Sequence, residues 1–313
     1  MHGVRAAITR ATSRGRAGRP PFGRGSVAAR VLARTIDAAA AIGSRLPGGL
    51  AHRMAVVGGN LEWASRPAVR RVLATNLAHA VDDDADGRRV RRLVRRELVN
   101  EAKRSADLLW AIGRPADFLR SVVIEGREHV ERAAERGRGV VLVGIHLGGW
   151  EVATPVPREV VPVPTTVITA DDWLAWGIDH VRRAAGLRPV RAGESLELLR
   201  VLRRGECLLM LGDDAVDDHA HTLPVELLGA RARLPAGPVV LARFARAPIV
   251  TFDVLPIGPR RWRVTIGAPI EPPTAAAEEA GVLQQLADRW TASIRAHPEH
   301  WSARFPIAWE PPA

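Results

Sequence analysis

Apolar positions along the chain follow two rhythms. Val140 to Ile145, Cys207 to Leu211, Ile249 to Leu255 and Trp262 to Ile266 are short blocks of strand length, closed by glycine or proline. Val160 to Ile168 and Leu187 to Val190 add two more strand candidates. Between and after them, Asp172 to Ala185, Leu196 to Leu202, Pro238 to Phe244 and Ala275 to Ala296 carry apolar residues at helical spacing. Strand alternating with helix predicts a single layered α/β domain whose site lies outside the carboxyl ends of the strands.

The first third of the chain has a different character. Residues 1–26 hold six arginines among Gly, Pro, Ser and Ala, which predicts a disordered basic arm. Val27 to Arg45 is an Ala-rich helix stopped by Leu46-Pro47-Gly48-Gly49. After the break at Asp82 to Gly87, a strongly basic helix runs from Arg88 to Leu98, with Val90, Leu93, Val94 and Leu98 on one face. Helices over 27–110 thus precede an α/β core over 120–306, together one domain from 27 to 313.

Composition narrows the partners. The 313 residues are 47% hydrophobic and carry a formal net charge of +11, which favours anionic surfaces. The basic helix lacks aromatic interleaving and any nucleic-acid-binding motif, so an anionic membrane surface is expected and nucleic acid is not. Arg30, Arg34 and Asp37 interrupt the first helix, which can lie at an interface but not span it. With neither a spanning segment nor a secretory signal visible, the expected place is the cytoplasm, on the inner face of the membrane. A lone Cys207 in an apolar block excludes an internal disulfide and points to inert packing.

The candidate chemistry sits where the Val140–Ile145 block ends, in His146-Leu147-Gly148-Gly149-Trp150-Glu151. On one continuous helix His146 and Glu151 would point about 140° apart. They meet only if His146 lies on a strand-to-helix turn and Glu151 in the first helical turn, with Gly148 and Gly149 permitting the turn and a close substrate approach. Glu151 would then hold one imidazole nitrogen while the other takes a proton from a hydroxyl, beside amides suited to developing negative charge. Asp213, Asp214, Asp217, Asp218, His219 and His221 form an acidic and histidine-bearing run, but in a turn-rich stretch that needs no metal to explain it, and no metal or cofactor is expected.

Ile145 to Glu151 resembles the His-Phe-Gly-Asn-Trp-Glu signature of the bacterial lipid A biosynthesis acyltransferases and the matching segment of phosphatidylinositol mannoside acyltransferases. Further landmarks keep the family's order: Arg70 to Leu77, Arg182 to Gly186, Leu228 to Pro238 and His297 to Trp301. The resemblance implies a glycerolipid-acyltransferase-like fold with a mixed, mostly parallel central sheet flanked by helices. It implies transfer of a fatty acyl group from an acyl-coenzyme A or acyl-carrier-protein thioester to a glycolipid hydroxyl. His146 and Glu151 would be catalytic, with Gly148, Gly149, Arg182 and Glu226 binding substrate. Two alternatives stay open: acylation of a specialised metabolite, and a lipid-binding protein whose site has decayed. The chain departs from the pattern at Ala215, where a second acid is usual, at Leu227-Leu228, where aromatics are, and at Gly149, where Asn is. The first departure leaves Asp213 without an assigned role.

Overall fold

A computed structural model describes residues 27–170, 173–214 and 221–310. The basic arm and Asp217, Asp218 and His219 lie outside the described residues. Among these, the helices α1 (Val27–Gly43), α2 (Gly48–Ser65), α3 (Pro67–Val81), α4 (Arg88–Gly113) and α5 (Pro115–Ser121) precede any strand. Then come β1 (Val122–Glu125), α6 (Arg127–Ala134), β2 (Val140–Gly144), the short α7 (Pro157–Val160), β3 (Thr165–Thr169), α8 (Trp173–Ala184) and β4 (Arg188–Arg191). They are followed by α9 (Ser195–Arg203), β5 (Cys207–Leu211), β6 (Thr222–Leu227), β7 (Ala230–Pro235) and α10 (Gly237–Ala245). β8 (Ile249–Gly258), β9 (Arg261–Ile266), α11 (Glu279–Ala296) and β10 (Ala308–Trp309) complete the order.

Seven strands form one sheet in the order β1-β9-β8-β2-β5-β3-β4. Only β8 and β9 pair antiparallel, so the sheet is mixed and mostly parallel, as expected. β2 lies at its centre between β8 and β5. Val141, Val143 and Ile145 enter the core on one face, while Val140 and Leu142 enter the core on the other. Burial on both faces is what an unbroken apolar run requires. Cys207 is part of the same core, and burial, opposed by a bond from Thr165, pushes its thiol up to about 12.

Several elements escape the apolar rhythm. β6 and β7 pair in a small antiparallel sheet with β10, where Leu228 to Pro238 reads from sequence only as a lead-in to a helix. Ala232 and Leu234 point inward there and Arg231 and Arg233 outward, a period of two too short to stand out. β3 begins at Thr165 and not Val160, since Pro162 and Pro164 break any ladder before it. α2 begins at Gly48, one of the glycines expected to stop α1, which ends earlier at Gly43.

The C-terminal segment is tied back to α3 by Asn76. Its buried amide donates to the carbonyls of Ala303 and Phe305, each at 2.9 Å, and its side-chain oxygen accepts the Trp309 indole at 2.9 Å. Three bonds across more than 200 residues make this a clasp. Asn76→Leu would strand two carbonyls and an indole N–H, and we expect a loss of about 3 kcal/mol in urea unfolding. A variant as stable as the parent would show that the clasp does not hold the segment.

Candidate active site

β2 and β5 run side by side in register, with Val140 opposite Cys207 and Gly144 opposite Leu211. His146 and Asp213 each lie two residues beyond the last pair, so two parallel strands deliver an imidazole and a carboxylate to one place. His146 Nδ1 is 2.9 Å from Asp213 Oδ1, and the His146 backbone N–H donates to both Asp213 oxygens at 3.1 Å. The Trp301 indole donates to Asp213 Oδ2 at 3.0 Å. Asp213 is 1% exposed, so these donors stand in for water around a buried carboxylate. Because an ionised carboxylate only accepts, Nδ1 carries the hydrogen and Nε2 is the basic nitrogen.

This corrects the expected pairing of His146 with Glu151. No helix starts after the glycines: residues 150–156 form successive tight turns, and the next helix is the four-residue α7. Glu151 is carried to α8, where its Oε1 accepts Arg182 Nη2 at 2.7 Å. Arg182 also donates to Asp179 at 3.3 Å, and Asp179 accepts Arg191 at 2.5 Å. Trp150 touches both groups, edge-on to the His146 ring at 5.9 Å and under Arg182 at 6.0 Å.

The glycines also act differently from expectation. Gly148 has φ +66°, and a Cβ there would lie 1.8 Å from the Val254 carbonyl oxygen; one at Gly149 would lie 2.4 Å from the Trp262 ring. They admit β8 and Trp262 to the loop, not only a substrate. Their amides are taken, Gly148 N–H by the His300 carbonyl and Gly149 N–H by the Val254 carbonyl, both at 2.8 Å, so neither is left for an oxyanion. Among the described residues, the amides of Trp150, Glu151 and Val152 donate to no protein acceptor.

A cavity of about 520 Å³ opens at the carboxyl ends of β3 and β5, walled also by His146, residues 148–152, α8 and α4. His146, Gly148, Gly149, Glu151 and Arg182 all line it. Glu226 does not. On β6 its neighbours Val225 and Leu227 point inward and Glu226 outward, its backbone bonded to Gln284 of α11. A recess of about 40 Å³, lined by Leu142, Val167, Phe252 and other apolar groups, shares Trp150, Arg182 and Leu209 with the cavity. Asp213 is the residue of the site that local spacing in the sequence leaves without a role. The available signal was its position, since Leu211-Gly212-Asp213 repeats the spacing of Gly144-Ile145-His146 from the strand end.

A mixed α/β sheet with an acid-oriented imidazole at its strand ends defines a site for general-base chemistry. Residues 45–303 match the bacterial lipid A biosynthesis acyltransferases, and the chain belongs to that family. Phosphatidylinositol mannoside acyltransferase of Mycobacterium tuberculosis H37Rv is 27% identical over 191 residues, 57% of this chain and 57% of the relative. The protein of that name from strain CDC 1551 is 26% identical over 192 residues, with the same shares. The chain therefore spans just over half the length of the curated relatives it matches. The 1-acyl-sn-glycerophosphate acyltransferase structure from Thermotoga maritima is similar over 73% of this chain and 98% of that one, at 13% identity and a TM-score of 0.36.

The tautomer offers a direct check. In the parent, imidazole nitrogen NMR shifts should show the neutral His146 ring protonated at Nδ1. Asp213→Asn, whose amide can also donate, should shift the population toward Nε2–H. Identical shifts in the two proteins would mean that Asp213 does not set the tautomer.

Proposed function

We propose that the protein transfers a fatty acyl group from an acyl-coenzyme A or acyl-carrier-protein thioester to a hydroxyl of a glycolipid resembling a phosphatidylinositol mannoside. The observation that carries this reading is the His146–Asp213 pair at the edge of a part-apolar cavity, in a chain of this family. Nε2 of His146 takes the proton of the acceptor hydroxyl as its oxygen attacks the thioester carbonyl. Asp213 stabilises the imidazolium through Nδ1. The unpartnered amides of Trp150 to Val152 and the Arg182 cation line the space where the tetrahedral oxyanion forms. Collapse breaks the carbon–sulfur bond, and the imidazolium returns its proton to the leaving thiolate. Cys207 takes no part, since its thiol is buried and stays protonated. Glu151 serves to hold Arg182, and the apolar recess behind Trp150 directs the acyl chain inward.

The membrane-facing side is read from α2 in particular. Leu50, Met54, Val57 and Leu61 recur along one helix stripe and are 46 to 70% exposed, while the small residues Ala51, Ala55 and Gly59 face inward. Large side chains outside and small ones inside reverse the order of a helix packed in a water-soluble domain. Arg95 of α4 reaches Asn60 beside the stripe at 2.6 Å, so the basic face of α4 adjoins it. Apolar side chains with arginines beside them suit peripheral adsorption to an anionic bilayer, at the inner face of the cell membrane. No helix of the described residues is long and apolar enough to cross a membrane.

Two experiments test these readings. With palmitoyl-coenzyme A and a phosphatidylinositol mannoside, the parent should yield an acylated product by mass spectrometry. His146→Ala should lose at least about a hundredfold in rate, and Glu151→Gln should lose less. Full transfer by folded His146→Ala would remove the general-base role. For the membrane, the protein should sediment with anionic vesicles, more weakly as salt screens charges over about 10 Å at 0.1 M. Serine at positions 50, 54, 57 and 61 together should release it. A quadruple variant that sediments like the parent would place the contact elsewhere.

A further inference from the structure

One wall of the cavity is charged, and the chemistry described above leaves it unused. Glu101, Arg104, Ser105 and Leu108 of α4 lie three and four residues apart, so a single helix face meets the cavity. Glu101 Oε2 accepts Arg104 Nε at 3.1 Å, Arg104 Nη2 at 2.6 Å and the Ser302 hydroxyl at 3.2 Å. All these bonds fall on one oxygen. Among the described residues, Glu101 Oε1 has no hydrogen-bond partner and is not enclosed, and the side chain is 32% exposed. Burial works against the Glu101 charge, but the Arg104 and Arg304 guanidiniums, with the bonds from Arg104 and Ser302, hold its carboxyl below the usual range. It is ionised at neutral pH, and Oε1 can only accept.

The position of this oxygen is tied to the base. Ser302, which donates its hydroxyl to Glu101, donates its backbone N–H to the His146 carbonyl at 2.7 Å. Arg104 is itself shared with the buried Glu97 at 2.8 Å, so two carboxylates balance its charge, and its Nη1, which has no hydrogen-bond partner among the described residues, is itself buried. A carboxylate oxygen held on the wall of the cavity that His146 also lines calls for an O–H donor. A phosphate would be repelled there. An acceptor with one hydroxyl, already used at His146, would leave the carboxylate unpaired in a partly dewatered space.

We propose that Glu101 Oε1 binds a second hydroxyl of the acceptor, near the one that is acylated. It thereby selects a polyhydroxylated, carbohydrate-type headgroup over a molecule with a single hydroxyl. The inference rests on the acyl-transfer reading and names the acceptor class for that site.

The test compares two acceptors with the same tail, octyl mannoside and 1-octanol, with palmitoyl-coenzyme A as donor. The parent should prefer the mannoside. Glu101→Gln keeps the shape and removes the charge, and the ratio of kcat/KM values should fall about tenfold or more, mainly through the mannoside KM, as for a bond to a charged group. Glu101→Asp, which keeps the charge, should recover part of the preference. An equal loss on both acceptors in Glu101→Gln would mean a structural role, and an unchanged ratio would mean no role; either overturns the inference. Should Glu101→Gln not fold, Glu101→Asp alone decides, since an unchanged mannoside KM there also overturns it. A parent that transfers to neither acceptor nor to the mannoside phospholipid would overturn the acyl-transfer reading itself, an outcome distinct from both.

Discussion

The buried carboxylate of Asp213 is the group on which the site depends. Three segments far apart in sequence converge on it: the end of β2 through His146, the end of β5 that carries it, and the C-terminal Trp301. At 1% exposure an ionised group survives only while its donors stay in place. Each donor is in turn fixed by main-chain bonds, Leu147 pairing with Trp301 and Ser302 with His146. Fixing one carboxylate therefore fixes the imidazole tautomer, the course of the glycine loop and the seat of the C-terminal segment together.

Around that centre the cavity is framed by two ionic assemblies with an apolar interior. At α8, Asp179 and Arg182 form one chain of charge with Glu151 of the loop and Arg191 of β4, and the two arginines and Asp179 are almost fully buried. On α4, Glu97, Glu101 and Arg104 meet Arg304 and, through it, Glu62 of α2. Burial pushes the Glu97 carboxyl up against the pull of Arg104 and Arg304. Burial and Arg104 lower His300 to about 4, so it adds no charge to this wall at neutral pH. In each assembly acids and arginines stand close together, so most of the charge is balanced within the protein. Among the described residues, the amides after Gly149 and one oxygen of Glu101 are polar groups at the cavity with no protein hydrogen bond.

The N-terminal helices join this site to the surface. α1 rests on α8 where Leu32 meets Gly177, too close for a Cβ, and Asp37 lies 2.7 Å from His180. α2 packs on α4 through Gly59, where a Cβ would lie 2.5 Å from the Val99 backbone. The two helices that carry the cavity's ionic walls are thus the ones in close contact with α1 and α2, and α2 bears the exposed apolar stripe. A surface that held α1 and α2 would hold the mouth of the cavity in a fixed relation to itself.

The sequence alone determined most of the layered core and half of the site. Apolar blocks of strand length can be satisfied only by burial on both faces, so β2, β5, β8 and β9 and the α/β class were legible, as were His146 at a strand end and the family likeness of its neighbourhood. It did not reveal α2, whose large residues face outward against the usual order, or β6 and β7, whose alternation is short and carried by arginines. Nor did it reveal the partner of His146. Glu151 is five residues away and Asp213 sixty-seven, and local spacing favours the nearer acid. Only the parallel register of β2 with β5 brings Asp213 to the ring, and only the tight turns after Gly149 turn Glu151 toward Arg182. Strand neighbours are chosen by how sheets and helices pack as a whole, a choice no stretch of sequence makes by itself.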